Sequence, residues 1–234
     1  MSATLYLLPT PLCNEHILAM TAPYNIAIIN SCTCFIVEEL KTARRYLKAI
    51  DKNFNIDEKL FLELNEHTSE TETAYVFKTL QQHKKVILMS ETGCPGVADP
   101  GAAIVKLAHT HNIKVVPLTG PSSIIMAIMS SGLNGQNFAF NGYLPKEKVQ
   151  RSQKVRNMER LAQQQSQWFI ETPYRNINLL EELLSTLGSN TKVCLAANIN
   201  SDAEFIKTKT VAEWKTQNAP PIHKIPCVFG IGGY

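Results

Sequence analysis

Residues 87–101 read ILMSETGCPGVADPG, and residues 115–133 read VVPLTGPSSIIMAIMSSGL. Each stretch begins as a short apolar run without polar alternation, opens into a loop rich in Gly and Pro, and continues into a helix-like segment. An apolar run of that length suits a strand covered on both faces of a sheet. Strand, Gly/Pro loop and helix in succession let the backbone of an α/β protein come close to a ligand. Two such loops so near each other imply one pocket built from both, and hence an enzyme or ligand binder rather than a scaffold.

Working outward, residues 4–8, 60–64, 86–89 and 114–118 read as strands. Residues 38–50, 70–83 and 102–111 carry helical patterns between them. This is the signature of a parallel sheet with crossover helices. Past Gly132 the style changes. Strands are expected over 138–143, 168–170, 192–197, 205–207 and 226–231, several close enough to pair as hairpins. A long polar segment spans 146–165, and a helix is expected over 174–187. The fold class is therefore α/β, with two α/β domains. Residues 1–118 form an N-terminal parallel domain and residues 119–234 a C-terminal domain with a mixed sheet.

Bulk properties narrow the class. Apolar residues make up 44% of the 234 and charged residues 18%, which argues against disorder. A formal net charge of +3 is too small to signal nucleic-acid binding unless the cations cluster. The six cysteines include no C-x-x-C pair, so no metal site is expected. Cys32 and Cys34 fall at strand spacing and are expected on one face. The N-terminus lacks the basic and apolar regions of a signal peptide, and no stretch is long enough to span a bilayer. A soluble cytoplasmic protein with reduced thiols follows.

The chemistry-bearing residues sit in the loops. Asp99 precedes Pro100 and is expected to cap the helix that follows. Thr119-Gly120-Pro121-Ser122-Ser123 also precedes a helix, and Thr10-Pro11-Leu12-Cys13-Asn14 supplies a third wall. No G-x-G-x-x-G follows the first strand, and neither a P-loop nor a G-x-S-x-G elbow occurs, which excludes ordinary dinucleotide, ATPase and hydrolase sites.

In order and spacing these segments resemble the tetrapyrrole methylase superfamily, the class III S-adenosylmethionine-dependent methyltransferases. The similarity is greatest to the branch that methylates a cytidine 2′-hydroxyl of small-subunit ribosomal RNA. Residues 5–14 resemble the family's first strand and TPIGN loop. Residues 90–101 resemble S-D-A-G-x-P-G-I-S-D-P-G. Residues 116–133 resemble V-P-x-P-G-P-S-A with its S-G-L ending, and residues 140–145 resemble F-x-G-F-L-P. Glu171-Thr172-Pro173-Tyr174-Arg175 resembles E-S-P-H-R. Cys13 stands where the family has glycine, and Glu38-Glu39-Leu40-Lys41 stands for E-D-T-R.

The resemblance implies a homodimer that holds S-adenosylmethionine in a cleft between two α/β domains. Its cofactor contacts would fall on Pro11, Leu12, Cys94, Val97, Ser122, Ser123, Ile124, Ile170, Ala197 and Gly230. A ribose acceptor also needs a base, for which Glu38, Glu39, Asp99 and Glu171 are the candidates. Lys146, Lys148, Arg151, Lys154 and Arg156, with Arg160 beyond them, form a basic span suited to rRNA phosphates. The competing readings are methylation of a tetrapyrrole or other small molecule, and a cofactor-binding module without catalysis.

Overall fold

A computed structural model describes residues 3–233. The chain divides into two compact units, Met1–Ser122 and Ser123–Tyr234.

The first unit carries β1 (Thr4–Leu8), α1 (Ile17–Met20), α2 (Pro23–Ser31), β2 (Cys34–Val37) and α3 (Leu40–Ile50). It continues with β3 (Leu60–Glu63), α4 (Glu70–Gln81), β4 (Lys85–Met89), α5 (Ala102–Thr110) and β5 (Lys114–Pro117). The strands form one parallel five-stranded sheet in the order β3-β2-β4-β1-β5. Successive side chains alternate between two cores, as the strand period requires. Phe35, Val37, Ile87 and Met89 pack with residues of α2 and α3. Cys34, Ile36, Val86 and Leu88 pack with residues of α4 and α5. The chain leaving β1 thus runs to one face of the sheet, and the chain leaving β4, its neighbour, to the other. A crevice at the carboxyl ends of two such strands is where open α/β sheets bind ligands.

Helix starts follow local capping chemistry. α3 begins at Leu40 rather than at residue 38 because the Glu39 carboxylate accepts from the Lys41 and Thr42 amides. α4 starts at a capping box between Ser69 and Glu72. The expectation that Cys32 and Cys34 share a face is corrected. Cys32 is the C-cap of α2, β2 starts at Cys34, and the two thiols lie in different cores.

The second unit carries α6 (Ser123–Ser131), β6 (Phe138–Tyr143), α7 (Lys148–Leu161), β7 (Ser166–Ile170) and α8 (Asn176–Thr186). It ends with β8 (Lys192–Ala197), β9 (Phe205–Thr210), α9 (Val211–Lys215) and β10 (Cys227–Gly232). Its sheet runs β6-β7-β10-β8-β9, with β6 and β7 parallel and the other pairs antiparallel. A core around Phe169, Phe229, Leu183 and Trp214 joins one face of this sheet to α7, α8 and α9. The expected helix over 174–187 begins two residues late, because Pro173–Arg175 forms a 3₁₀ turn first.

Candidate active site

Within the first unit, the loops after β1, β4 and β5 are tied together by their own backbone. The Thr10 amide donates to the Gly93 carbonyl (2.9 Å) and the Gly93 amide to the Thr10 carbonyl (3.1 Å). The buried Thr10 hydroxyl donates to the Ser90 carbonyl at 3.3 Å. Cys94 Sγ donates to the Pro121 carbonyl at 3.4 Å, joining the second loop to the third. Asn25 of α2, almost fully buried, donates to the Thr119 carbonyl at 2.7 Å. A Cβ on Gly120 would stand 2.5 Å from Pro9 Cβ, so only glycine lets the third loop lie on the first.

The 90–101 loop is bent by three residues in the left-handed region, Gly93 (φ 77°), Gly96 (φ 80°) and Ala98 (φ 55°). Ala98 pays about 1 kcal/mol for that conformation. Asp99 holds the bend closed. Its Oδ1 accepts from the Gly96 amide (2.9 Å) and the Gly101 amide (2.7 Å). This corrects the expected helix cap: Gly101 is the N-cap of α5, and no side chain caps it. Asp99 Oδ2 is buried without a hydrogen-bond partner.

The four candidate bases differ in their commitments. Glu39 is spent on the cap of α3, which lowers its pKa through hydrogen bonds from Thr42 first. Glu171, buried at the end of β7, accepts from the Thr172 amide (2.8 Å) and sits 3.5 Å from Arg175. Asp99 closes its loop. Glu38, half-buried just past β2, has one oxygen accepting from the Glu91 amide at 2.8 Å. Burial raises its pKa above the ordinary carboxylate value. The Glu91 amide opposes that rise, and the charges of Asp99 and Glu91 reinforce it.

Of the residues the resemblance assigned to the cofactor, Pro11, Leu12, Cys94 and Ser122 are half-buried in these loops, and Val97 is 49% exposed. Ser123 and Ile124 open α6 of the second unit. Ile170 and Ala197 lie at the same end of the second sheet, where β10 begins. Gly230 is placed by packing: a Cβ there would stand 2.6 Å from the fully buried Trp168 ring.

The basic span is less uniform than its sequence. Lys146, Lys148 and Arg156 are exposed and Lys154 half-buried. Arg151 is turned inward: its guanidinium meets Glu182 at 2.6 Å, with both side chains nearly buried, and donates to the Pro145 and Lys146 carbonyls. It fastens α7 to α8 and closes the turn before α7, which removes it from any phosphate-binding surface.

A further polar feature of the first unit, a cavity of about 210 Å³, is lined by Asn14, Thr42, Arg45, Tyr46, Glu91 and Thr92 among others. Arg44 lies over the Phe61 ring, while Arg45 faces the cavity. No helix among the described residues is long and apolar enough to cross a membrane.

Comparison with known proteins places this geometry. The profile of the tetrapyrrole (corrin/porphyrin) methylases matches residues 4–215. The chain is similar to ribosomal RNA small subunit methyltransferase I of Vibrio cholerae, 29% identical over 89% of this chain and 69% of the relative. It is also similar to the protein of that name from Buchnera aphidicola subsp. Schizaphis graminum, 24% identical over 98% of this chain and 78% of the relative. Among solved structures, the methyltransferase CobJ superposes with a TM-score of 0.67 at 14% identity, covering 99% of this chain and 94% of its own. Uroporphyrin-III C-methyltransferase from Thermus thermophilus, solved with S-adenosyl homocysteine, superposes with a TM-score of 0.61 at 15% identity, covering 98% and 97%. These two likenesses establish the fold.

Proposed function

The chain belongs to the tetrapyrrole (corrin/porphyrin) methylase family and is an S-adenosylmethionine-dependent methyltransferase, and we propose that its acceptor is a ribose 2′-hydroxyl of small-subunit ribosomal RNA. The donor side of this reading is supported by the cross-tied trio of loops at the carboxyl ends of β1, β4 and β5, and its acceptor side by the printed names of the relatives.

The loops suit an adenosylated sulfonium. Residues 10–14, 90–101 and 119–122 contain no Lys or Arg to repel a cation, and Glu91 and Asp99 lie among them. Leu12 and Val97 offer apolar surface that an adenosine would cover, and Thr10, Ser90 and Gly93 are committed to holding the loops in place. In the same reading Ser122, the last residue of the third loop, continues the donor site.

When bound, S-adenosylmethionine supplies an activated methyl carbon and a neutral thioether leaving group. The protein must then align the acceptor and remove its proton. Glu38 is the group proposed for proton removal. Among the described residues it makes no helix cap and no ion pair, and its raised pKa brings it nearer to neutral pH than an ordinary carboxylate. Glu91 positions it through the amide hydrogen bond.

The names of the relatives support an rRNA acceptor, as do the exposed cations Lys146, Lys148 and Arg156, with the half-buried Lys154 beside them. The same reading makes the protein cytoplasmic, in keeping with cysteines that form no disulfide among the described residues, and a homodimer, for which α6 leaves Ile125 and Met129 exposed. The test is methyl transfer from labelled S-adenosylmethionine to small ribosomal subunits lacking the modification, followed by mapping of 2′-O-methyl sites. One modified cytidine is expected. Label appearing only on a tetrapyrrole acceptor would replace the substrate.

A further inference from the structure

The cavity beside the first loop has its own chemistry. Arg45 is exposed and has no hydrogen bond or ion pair among the described residues, although Glu91 lines the same cavity. The other polar walls are held in place. The Thr42 hydroxyl donates to Glu39, and the Tyr46 hydroxyl pairs with Thr21 at 3.2 Å in the buried interior. Asn14 adds an amide that can both donate and accept. The cavity is therefore a preformed hollow with one uncommitted cation and several neutral hydrogen-bonding groups.

Its size selects among ligands. At about 210 Å³ it falls below the ~300–1,000 Å³ of pockets that enclose whole drug-sized ligands. A single ribose with its phosphate fits that volume. A tetrapyrrole macrocycle does not, and its several carboxylates would meet one arginine and the Glu91 carboxylate. The position is equally selective. Pro11 and Leu12, on the proposed donor loop, also line the cavity, and Glu91, whose amide holds Glu38, forms another wall.

We propose that this cavity seats the acceptor nucleotide of the RNA, with Arg45 pairing its phosphate and Asn14, Thr42 and Thr92 facing the sugar. The proposal rests on the methyltransferase reading for its biological acceptor, but not for its binding chemistry. It adds to the basic span of the second unit a specific anchor for one nucleotide.

Calorimetric titration of the full chain with cytidine 5′-monophosphate, and separately with S-adenosylhomocysteine, tests it. The wild-type protein is expected to bind the nucleotide at millimolar concentration. Arg45→Ala should weaken that binding roughly 10- to 100-fold, the usual loss for a charge-assisted hydrogen bond. Arg45→Lys should retain part of it, since the charge stays while the fork geometry goes. Cytidine without phosphate should bind weakly and be indifferent to Arg45→Ala. S-adenosylhomocysteine affinity should be equal in all variants, which also reports that they are folded. Equal nucleotide affinity in wild type and Arg45→Ala would overturn the proposal. So would absence of nucleotide binding while S-adenosylhomocysteine binds, and that result would leave the methyltransferase reading standing. Nucleotide binding that depends on Arg45, with no S-adenosylhomocysteine binding, would keep the cavity and remove the donor site.

Discussion

The strand ends of the first sheet and the charged surface of the second unit use polar residues in opposite ways. At the ends of β1, β4 and β5, backbone groups bond to one another, while Glu38, past β2, and Arg45, in α3, make no cap or ion pair among the described residues. In the second unit the conspicuous charges are turned to structural work. Arg151 is joined to Glu182, Glu171 lies against Arg175, and Glu159 accepts from the Gly188 amide at 2.7 Å. A charge that sequence alone presents as functional can thus be a fastener, while a tightly bonded loop can exist to free its neighbours for chemistry.

Substitutions can break or sharpen this contrast. Glu38→Gln removes the proposed proton acceptor and should lower kcat about 100-fold or more while leaving S-adenosylhomocysteine binding intact. Wild-type kcat should rise with pH through the Glu38 titration, at a pH above the ordinary carboxylate range, and that limb should vanish in the variant. The sign for stability is opposite. A carboxyl whose folded pKa is raised binds its proton more tightly when folded, so its favourable contribution is full at low pH and lost as pH rises through the folded pKa. Glu38→Gln should therefore unfold at a higher temperature than wild type near neutral pH and not at acid pH, as read by calorimetry.

Arg151→Ala should cost about 2–4 kcal/mol in urea denaturation, because it strands Glu182 and opens the turn before α7. If Arg151→Ala instead kept wild-type stability and lost affinity for ribosomal subunits, Arg151 would be an RNA contact and the contrast would fail. Gly230→Ala drives a methyl group into Trp168 and should destabilise by about 1–3 kcal/mol. Smallest is Glu39→Ala, a slight lowering of the melting temperature from the lost cap of α3, with little change in kcat once the protein is folded.

How much of this was legible in the sequence depended on the range of the interaction. β1, β4 and β5 read to within a residue at each end, because buried parallel strands are continuous apolar runs bounded by Gly and Pro. α2 escaped notice. PYNIAIINS mixes Asn25, Asn30 and Ser31 with apolar residues and shows no 3.6-residue stripe. α9 is five residues long and carried only the capping pair Thr210 and Glu213 as a signal. The loops were legible through their glycines and prolines, but the bonds that tie Thr10 to Gly93 and Cys94 to Pro121 are set by strand order. Arg151 was misleading because Glu182, 31 residues on, leaves no mark on the local pattern. The cavity at Arg45 was invisible for the same reason, since its walls come from the loops after β1 and β4 and from α3.

The central claim is that the loops after β1, β4 and β5 hold the methyl donor. Backbone hydrogen exchange of the full chain with and without S-adenosylhomocysteine tests it most directly. Slowed exchange concentrated in residues 10–14, 90–101 and 119–124 is the predicted result. Saturable binding that protects other segments and leaves these three unchanged would contradict it.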